Sequence, residues 1–544
     1  MPPADPIAQL AATVRSAAEE LGGGSAVTGA KLDRPPRADF GDFSSNAPML
    51  LAPTLGEPPR SVAERLGALV TERLNGELDR VEVAGPGFLN LFLSDAWFRS
   101  SLGNALAVGE GYGGGTATTP ERVQVEFVSA NPTGPLTVAS GRHAAWGDSL
   151  CRILEFAGHD TEREYYVNDH GSQVLLFGQS IQARARSEQP PEGGYQGEYV
   201  ERIAEQLPDA AGGDPWELAQ AGVALMVEDL RTTLERFRVH FDRFFSETDL
   251  HEQGKIEKAI ALLEERGQVY RHEDALWLRT TDFGDDKDRV LQRSTGEYTY
   301  FASDIAYHLD KRERGHERLI DLWGADHHGY VRRMLAAWEA VGGEPGRLEL
   351  LIMQLVNLME HGQRVQMSKR EGEFVTLDDL IDDIGVDAAR YFLLQRSHDT
   401  TLDLDLARAR EQSQDNPVYY VQYAHARIAS ILRKAGDEAV AEATEADLRA
   451  RGDELHPSER DLVKKLLELP GEVGAAAERR APHRLADYAL EAARQFSAFY
   501  RDCKVVGAAE DGEDEVFRVA LCVQTGRVLA RSLDLLGVSA PEQM

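Results

Sequence analysis

The sequence contains few cysteines and no long apolar segment. Its three cysteines, Cys151, Cys503 and Cys522, are odd in number and far apart in the chain, which argues against a disulfide framework and against a zinc site. The most apolar stretch, residues 351–359, is interrupted by two polar amides and is too short to cross a bilayer. Charged residues near the start argue against a signal peptide. We therefore expect a reduced, cytoplasmic protein with no membrane segment.

Positive charge is also scarce. The chain carries 59 Lys and Arg against 91 Asp and Glu, a formal net charge of −32. Nucleic-acid-binding proteins usually have a basic face, so the total argues against such a partner. The deficit is uneven, however, because residues 1–110 and 406–544 each have a net charge of −5 and residues 111–405 have −22. Local basic strips at the two ends therefore remain compatible with a nucleic-acid partner.

Three regions differ in their patterns. A chain of 544 residues is too long for one ordinary domain. Residues 1–110 combine an amphipathic first helix, ending near the glycines at 22–24, with short apolar strands. Residues 111–405 alternate strands and helices, which is typical of a parallel sheet, and residues 406–544 read as helix after helix. The glycine-rich tract 111–116 predicts a flexible linker between the first two regions.

The middle region begins with a strand, a turn and a helix. Residues 123–128 alternate apolar and polar side chains, which predicts a strand. The turn at 131–135, Asn-Pro-Thr-Gly-Pro, precedes a helical pattern that runs from Ser140 to about Ala157. A helix that starts just after a parallel strand offers free N–H groups to a phosphate. Such a turn is also common as a plain tight connection, so it does not decide the function alone.

A second segment, Met-Ser-Lys-Arg at 367–370, complements the first. A loop with adjacent lysine and arginine could close over a triphosphate and neutralise the charge that builds on leaving pyrophosphate. Exposed basic pairs are usually solvated surface, however. The order and separation of the two segments are much more specific than either segment alone.

Together these motifs resemble the arginyl-tRNA synthetases, which are class I aminoacyl-tRNA synthetases. The resemblance covers nearly the whole chain and is carried by residues 41–46, 126–135, 165–169, 300–304, 323–330, 367–370, 385–390 and 416–423. It implies an α/β Rossmann-type catalytic core with an insertion at 111–405, an α+β N-terminal RNA-binding domain at 1–110, and an all-α anticodon-binding bundle at 406–544.

The resemblance also implies a reaction and its partners. The enzyme would activate L-arginine with ATP to arginyl-adenylate and transfer arginine to the 3′ terminal adenosine of tRNA(Arg), releasing pyrophosphate and AMP. Mg²⁺ would enter with ATP as part of the substrate, and no structural metal is expected. The protein would act as a cytoplasmic monomer whose partners are tRNA(Arg), L-arginine and ATP.

Residue roles for ATP and catalysis follow from the two signature segments. The residues expected to bind ATP are Pro132, Thr133, Gly134, Pro135, Thr137, Ala139, Ser140, Met367 and Lys369. The residues expected to act in catalysis are Lys369, Ser368, Thr137, Ser140 and His143. Lys369 is the expected cation on the phosphates, and Ser368 is expected to order its loop.

The resemblance also implies which residues bind arginine and which contact tRNA. The expected arginine pocket consists of Glu126, Ser129, Asn131, Tyr300, Asp304 and His328. A guanidinium is always charged and its planar fork pairs with carboxylates, so an acidic pocket suits arginine. The expected tRNA contacts are Asn46, Tyr419, Tyr423, Arg427 and Arg480. Unstacked bases commonly stack on aromatic rings and guanidinium planes.

The first signature departs from the family pattern His-x-Gly-His. Residues 137–140 read Thr-Val-Ala-Ser, and Gln366 replaces the usual first lysine of the second signature. Hydroxyls donate hydrogen bonds but carry no positive charge, and Ala139 adds a methyl group where adenine packs closely. We hypothesise that His143, one helical turn beyond Ser140, supplies part of the missing donor function. The alternative is an ordinary packing histidine.

Two other functions compete with the synthetase. Asp326, His327 and His328 could ligate a metal in a metal-dependent phosphoesterase, but no second cluster of ligands accompanies them in the sequence. The altered first signature alternatively suggests a catalytically weakened, synthetase-like tRNA-binding protein. The other motif residues, including Glu126 and Lys369, retain the family pattern and favour the enzyme.

Overall fold

The computed structural model describes residues 5–24, 27–365, 375–452 and 454–544. The N-terminal region contains four α-helices and a four-stranded antiparallel sheet, in which the strands lie in the order first, second, fourth and third. Its elements are α1 (Pro6–Leu21), β1 (Leu32–Asp33), β2 (Phe43–Ser45), α2 (Ala47–Leu55), α3 (Pro59–Arg73), β3 (Leu78–Ala84), β4 (Phe88–Leu93) and α4 (Asp95–Val108). The Asp5 side chain caps α1, and the helix ends at Gly22, as the sequence predicted.

The middle region is built on five parallel strands, which lie in the order β12 (Leu348–Met353), β11 (Arg318–Gly324), β5 (Arg122–Glu126), β6 (Asp160–Val167) and β7 (Arg243–Ser246). The first half comprises β5 (Arg122–Glu126), α5 (Val138–Ala157), β6 (Asp160–Val167), α6 (Ser172–Ala185), α7 (Glu198–Gln206), α8 (Pro215–Arg236), β7 (Arg243–Ser246), α9 (Glu247–Glu252) and α10 (Lys255–Glu265). The predicted parallel sheet with an insertion is confirmed. The inserted helices α6, α7 and α8 share a small hydrophobic core of their own.

The second half of this region adds the remaining strands of the main sheet and two small sheets. Its elements are β8 (Val269–His272), β9 (Ala275–Leu278), β10 (Arg289–Gln292), α11 (Tyr300–Glu313), β11 (Arg318–Gly324), α12 (Val331–Ala340), β12 (Leu348–Met353), β13 (Val356–Glu360), β14 (Gln363–Arg364), α13 (Leu377–Leu394) and β15 (Leu402–Asp405). The small sheets have the orders β10-β9-β8 and β14-β13-β15.

From residue 406 onward the described residues contain helices and no strand. The helices are α14 (Leu406–Arg410), α15 (Pro417–Ala435), α16 (Asp437–Glu445), α17 (Pro457–Leu467), α18 (Leu469–Glu478), α19 (His483–Asp502) and α20 (Glu515–Leu535). Most side chains of α20 are buried, and the helix packs against α15, α16 and α19. Within the described ranges, no helix is both long and apolar enough to cross a membrane.

The glycine tract at 111–116 is not a flexible linker, so that prediction was wrong. Tyr112 is buried, and the neighbouring glycines pack closely against other regions. A Cβ on Gly113 would lie 2.8 Å from the side chain of Leu469, and one on Gly114 would lie 2.9 Å from Phe156. These glycines allow the backbone to approach α18 and α5 closely, so their role is packing rather than mobility.

Candidate active site

The candidate site lies at the carboxyl ends of the parallel strands. The strand order reverses beside β5, because the chain adds β6 and β7 on one side and β11 and β12 on the other. Ligands of open α/β sheets bind in the crevice at such a switch point. Acids stand at three of these strand ends, because Glu126 closes β5, Asp169 follows β6 and Glu247 follows β7.

Burial and, after it, the charges of four carboxylates at this edge of the sheet raise the pKa of the Tyr166 hydroxyl. The four carboxylates are Glu126, Asp169, Glu247 and Asp304. Burial, followed by the charges of Asp304 and Asp169, raises the pKa of Glu247 to about 7. Burial also raises the pKa of Asp304, although the Tyr330 hydroxyl opposes this shift by donating to Asp304 Oδ2 across 2.6 Å. A cation among these carboxylates would relieve their mutual repulsion, so the pocket suits a positively charged ligand.

Glu126 is fixed from both sides. Ser129 Oγ donates to Glu126 Oε1 across 2.8 Å, and Lys311 Nζ donates to Oε2 across 2.7 Å. Val128 and Ser129 have positive φ angles of 68° and 40°, which is uncommon for residues other than glycine. This bend turns Ser129 back over Glu126, where Ser129 Oγ also accepts a hydrogen bond from the Tyr166 N–H.

Tyr300 and Asp304 lie one turn apart at the start of α11, as the predicted helical spacing required. Tyr300 is 69% exposed, and its hydroxyl lies over Gly171, 3.5 Å from the position a Cβ would take there. Gly171 has a φ of +94°, so it combines a left-handed backbone with close approach to the ring. The exposed tyrosine therefore stands at the rim of the acidic pocket.

Asn131 and His328 occupy more peripheral positions. Asn131 Oδ1 accepts a hydrogen bond from Asn168 Nδ2 across 2.8 Å, which places it beside the β6 end of the pocket. His328 is exposed in the short turn Ala325–Tyr330. In that turn it is Tyr330, rather than His328, that bonds to Asp304.

The predicted nucleotide turn joins β5 to α5. Pro132 and Thr133 are buried, and the end of the turn leads into the first residues of α5. Thr137 caps this helix, because its Oγ1 accepts from the Ser140 N–H at 3.3 Å and lies 3.3 Å from Ser140 Oγ. Ala139 is exposed in the same turn of helix. Two hydroxyls thus stand where the family pattern has imidazoles, at a helix end where the Val138 N–H donates to the Val375 carbonyl and the Ser140 N–H donates to Thr137.

The second signature falls partly outside the described residues, which exclude Met367, Ser368 and Lys369. The residues that follow the second signature form a backbone hydrogen bond with the residue just before the first signature. The Leu377 N–H donates to the Leu136 carbonyl at 2.8 Å, and α13 then begins with Thr376 and Asp379 capping each other.

His143 is half-buried near the carboxyl end of β11, beside the Leu322 backbone, Asp326 and His327. Its Nδ1 is buried and makes no hydrogen bond to the described residues. Burial, followed by the positive charge of Arg142, lowers the pKa of His143 to about 4. The ring is therefore neutral near pH 7, and any donor function it has is that of a neutral imidazole without the missing positive charge.

In the N-terminal region, Asn46 lies beside an apolar hollow of about 390 Å³. The Asn46 side chain accepts from the Lys31 N–H across 2.8 Å and thereby holds the preceding loop. Phe40 and Phe88 line the same hollow and are themselves 39% and 38% exposed. Exposed rings around a hollow of this size suit an unstacked base.

Three of the predicted tRNA residues meet in the helical bundle. Tyr419 and Tyr423 on α15 stack with their ring planes 10° apart, and they line a groove of about 420 Å³. Arg427 lies 4.7 Å from the ring centre of Tyr423 and 5.0 Å from that of Tyr500. This exposed array of rings and a guanidinium has the composition of a base-stacking surface.

Arg480 lies elsewhere. Its Nε and Nη2 both donate to the Glu349 carboxylate at 2.9 Å, and its side chain is only 11% exposed. Glu349 belongs to β12, so this pair ties the turn between α18 and α19 to the main sheet. The structure thus gives Arg480 an ion pair between regions rather than a place in the groove of the bundle.

The triplet Asp326, His327 and His328 sits in an exposed turn. His327 lies 3.4 Å from Asp326 and packs on Trp323. Among residues 5–24, 27–365, 375–452 and 454–544, no group of three or more His, Cys, Asp or Glu side chains is arranged to hold a metal ion.

Sequence models of three protein families match consecutive parts of this chain. The arginyl tRNA synthetase N terminal domain matches residues 8–93, the catalytic domain of class I (R) tRNA synthetases matches 101–201 and 211–430, and the DALR anticodon binding domain matches 421–544. The chain belongs to the arginyl-tRNA synthetase family. This confirms the predicted family and fold class, and it sets aside the phosphoesterase alternative.

Known members of the arginyl-tRNA synthetase family resemble the chain along nearly its full length. The arginine–tRNA ligase of Bacillus subtilis is 44% identical over 527 residues, which cover 94% of each chain. The solved arginyl-tRNA synthetase of Thermus thermophilus is 25% identical with a TM-score of 0.78, covering 99% of this chain and all of the other. A Mycobacterium tuberculosis methionyl-tRNA synthetase, 14% identical with a TM-score of 0.55 over 77% of this chain and 92% of the other, shares the fold.

The structure adds four residues that the sequence interpretation missed. They are Tyr199, Glu247, Lys311 and Tyr330. Glu247 directly follows the apolar strand β7, so an acid at a parallel strand end was a usable signal. Lys311 lies seven residues after Asp304 on α11, which places both on one helical face. Tyr199 comes from the insertion and gave no local signal.

Proposed function

We propose that the chain is an arginine–tRNA ligase. It activates L-arginine with ATP to arginyl-adenylate and transfers arginine to the 3′ terminal adenosine of tRNA(Arg), releasing AMP and pyrophosphate. The observation that carries this proposal is the cluster of four carboxylates at the carboxyl ends of the parallel strands, beside the turn that joins β5 to α5. Such a cluster attracts a cationic amino acid and rejects neutral ones, because carboxylates that lie close together in a buried site favour a bound positive charge.

Arginine lies across the acidic pocket in this proposal. Glu247 and Asp304 receive the guanidinium, whose planar fork suits two carboxylates. Glu126 and Asn131 receive the α-amino group, and Ser129 fixes the Glu126 carboxylate. Tyr300 covers the side chain of arginine from the rim, and His328 takes a more distant position.

ATP lies over the turn between β5 and α5. Residues 132–135 support it, the hydroxyls of Thr137 and Ser140 donate to its phosphates, and adenine packs near Ala139. Met367, Ser368 and Lys369 complete the site from the second signature, with Lys369 neutralising the phosphates. Mg²⁺ enters as the ion bound to ATP. His143 contributes at most a neutral donor.

The chemistry consists of two displacements. A carboxylate oxygen of arginine forms a bond to the α-phosphorus of ATP, and the bond to the bridging oxygen breaks so that pyrophosphate leaves. A ribose hydroxyl of the terminal adenosine then attacks the arginyl carbonyl carbon, the bond from that carbon to the phosphate oxygen breaks, and AMP leaves while the hydroxyl proton is released to solvent. Charge grows on pyrophosphate in the first step, so that step needs the donors of the two signatures most.

The tRNA contacts lie at the two ends of the chain. Asn46 and the hollow beside it take a base from the body of tRNA, and Tyr419, Tyr423 and Arg427 stack on bases of the anticodon. Arg480 is left out of this surface because Glu349 already holds it. We propose domain boundaries near residues 110 and 405, and a monomer that works in the cytoplasm.

Arginine-dependent exchange of pyrophosphate into ATP, measured with tRNA(Arg) present, tests this proposal. The wild-type protein is expected to support exchange with arginine and not with lysine, and Asp304→Asn is expected to abolish it. A protein that binds tRNA(Arg) but never exchanges pyrophosphate would instead be the catalytically weakened tRNA-binding protein suggested by the altered first signature.

A further inference from the structure

Three carboxylates form a row across the centre of the sheet. Asp321 on β11 is in register with Glu126 on β5, and Glu126 is in register with Glu164 on β6. Neighbouring residues in register across a sheet project to the same face. Like charges placed side by side in this way repel each other, so the row needs cations from the layer above.

Helix α11 supplies one of these cations at Lys311, which is fully buried. Lys311 Nζ donates to Glu126 Oε2 at 2.7 Å and to Asp321 Oδ1 at 2.8 Å. Arg314, the residue that directly follows this helix, pairs with Glu164 at 2.7 Å. Burial works against the charged form of Lys311, but the charges of Asp321 and Glu126 outweigh it and raise the pKa of Lys311.

The same helix also reaches the other end of the acidic pocket. Its first turns carry Tyr300 and Asp304, and His308 bridges the Asp304 carbonyl and Asp321 Oδ2 at 2.7 Å each. One face of α11 thus carries both Asp304, in the acidic pocket, and Lys311, which contacts Glu126.

We propose that Lys311 is a positioning residue that sets the orientation of Glu126 for the α-amino group of arginine. The proposal rests on the proposed function and deepens it. Lys311 donates to one carboxylate oxygen of Glu126, and Ser129 donates to the other. The lone pairs of Glu126 that remain can accept hydrogen bonds from a ligand in the pocket. Glu126 is only 8% exposed, which leaves little room for another orientation.

Loss of Lys311 has a specific consequence for Glu126. Without the ammonium group, Glu126 lies between two other carboxylates in a buried row, and their repulsion turns its carboxylate away from this position. This change removes the acceptor for the α-amino group of arginine. The guanidinium end of the pocket, formed by Asp304 and Glu247, keeps its contacts.

The test compares two ligands on the full-length protein by isothermal titration calorimetry. The ligands are arginine and 5-guanidinopentanoic acid, which is arginine without its α-amino group. Lys311→Met is expected to raise the Kd of arginine about 10- to 100-fold, the cost of breaking a buried charged pair, and to change the Kd of the analogue less than about 3-fold. The proposal is overturned if Lys311→Met raises the Kd of both ligands equally, or if it raises neither Kd.

Three further variants sharpen the comparison. Lys311→Arg keeps the charge and is expected to recover part of the preference for arginine over the analogue. Lys258→Met removes an exposed lysine of α10 that pairs with Glu313 of α11, and it should leave both Kd values unchanged. If Lys311→Met does not fold, the charge-balanced double variant Lys311→Met with Asp321→Asn replaces it and must show the same selective loss.

The outcomes separate this inference from the proposed function. A wild-type protein that does not bind arginine contradicts the proposed function. A wild-type protein that binds arginine, but whose Lys311 variants keep the preference for arginine over the analogue, contradicts only the role of Lys311.

Discussion

The hydroxyl of Tyr199 donates a hydrogen bond to the backbone carbonyl of Thr133 across 2.7 Å. Tyr199 belongs to α7 in the insertion, and Thr133 lies in the nucleotide turn. The hydroxyl also lies 3.3 Å from the position that a Cβ would take on Gly134. The insertion, which has its own small core, therefore supports the turn on which ATP is proposed to lie.

Tyr199→Phe removes this hydrogen bond and keeps the ring. A hydrogen bond of this kind contributes about 1 kcal/mol, so we expect the KM for ATP in pyrophosphate exchange to rise about 5-fold. The KM for arginine should stay unchanged. Tyr195→Phe is the matched control, because its hydroxyl bonds to Gln173 within the same insertion. Equal changes in both KM values would show that Tyr199 acts only on the fold.

Restoring the family signature should increase activity. The triple variant Thr137→His, Ala139→Gly and Ser140→His supplies imidazole donors and removes the methyl group near adenine. Each well-placed donor to a developing charge is worth about 100-fold in rate, so we expect kcat for pyrophosphate exchange to rise by about 10- to 100-fold.

The same variant has a structural cost that must be separated from its chemistry. Thr137 caps α5, and loss of such a cap costs about 1 kcal/mol. Thermal unfolding of the variant measures this cost. A folded variant whose kcat is no higher than that of the wild type would mean that Thr137 and Ser140 already perform the function of the imidazoles.

Arginine binding should strengthen as the pH rises toward neutrality. The pKa of Glu247 is about 7 in the protein without ligand, because of burial and of the charges of Asp304 and Asp169. Below that pH Glu247 is protonated, and it must release a proton before it pairs with a guanidinium. As the pH rises toward 7, the Kd of arginine should therefore fall by up to about 10-fold per pH unit, and above pH 7 it should level off.

Calorimetry between pH 5.5 and 8.5 measures this dependence. Glu247→Gln should weaken arginine binding at neutral pH and flatten the profile, because glutamine neither ionises nor pairs with charge in this way. A wild-type Kd that does not change across this range would contradict the assigned role of Glu247.

Two arginines of the helical region should have different roles, one in tRNA binding and the other in stability. Arg427→Ala removes an exposed guanidinium that packs on Tyr423 and Tyr500, and it should weaken tRNA(Arg) binding about 10-fold with an unchanged KM for arginine. Arg480→Ala breaks the pair with Glu349 and should lower the unfolding temperature instead. Filter binding and thermal unfolding measure the two effects. Equal loss of tRNA affinity in both variants would contradict this assignment.

Local patterns predicted much of this molecule, and long-range contacts explain the rest. The period of α11 placed Tyr300 and Asp304 on one face, and the strand–turn–helix after residue 122 located the nucleotide turn. The environment of Glu247 depends on Asp169, which follows β6, and on Asp304 in α11, and both are distant from Glu247 in sequence. Arg480 looked like free basic charge until the fold brought Glu349 beside it. Gly113 and Gly114 looked flexible because their packing partners lie far along the chain.

Charging of tRNA(Arg) with arginine compared with citrulline tests the central claim most directly. Citrulline has the same length as arginine and carries a neutral urea group instead of the guanidinium. If the carboxylates select a cation, arginine is charged and kcat/KM for citrulline is lower by about 1,000-fold or more. Comparable charging of the two amino acids, or no charging with arginine, would contradict the account.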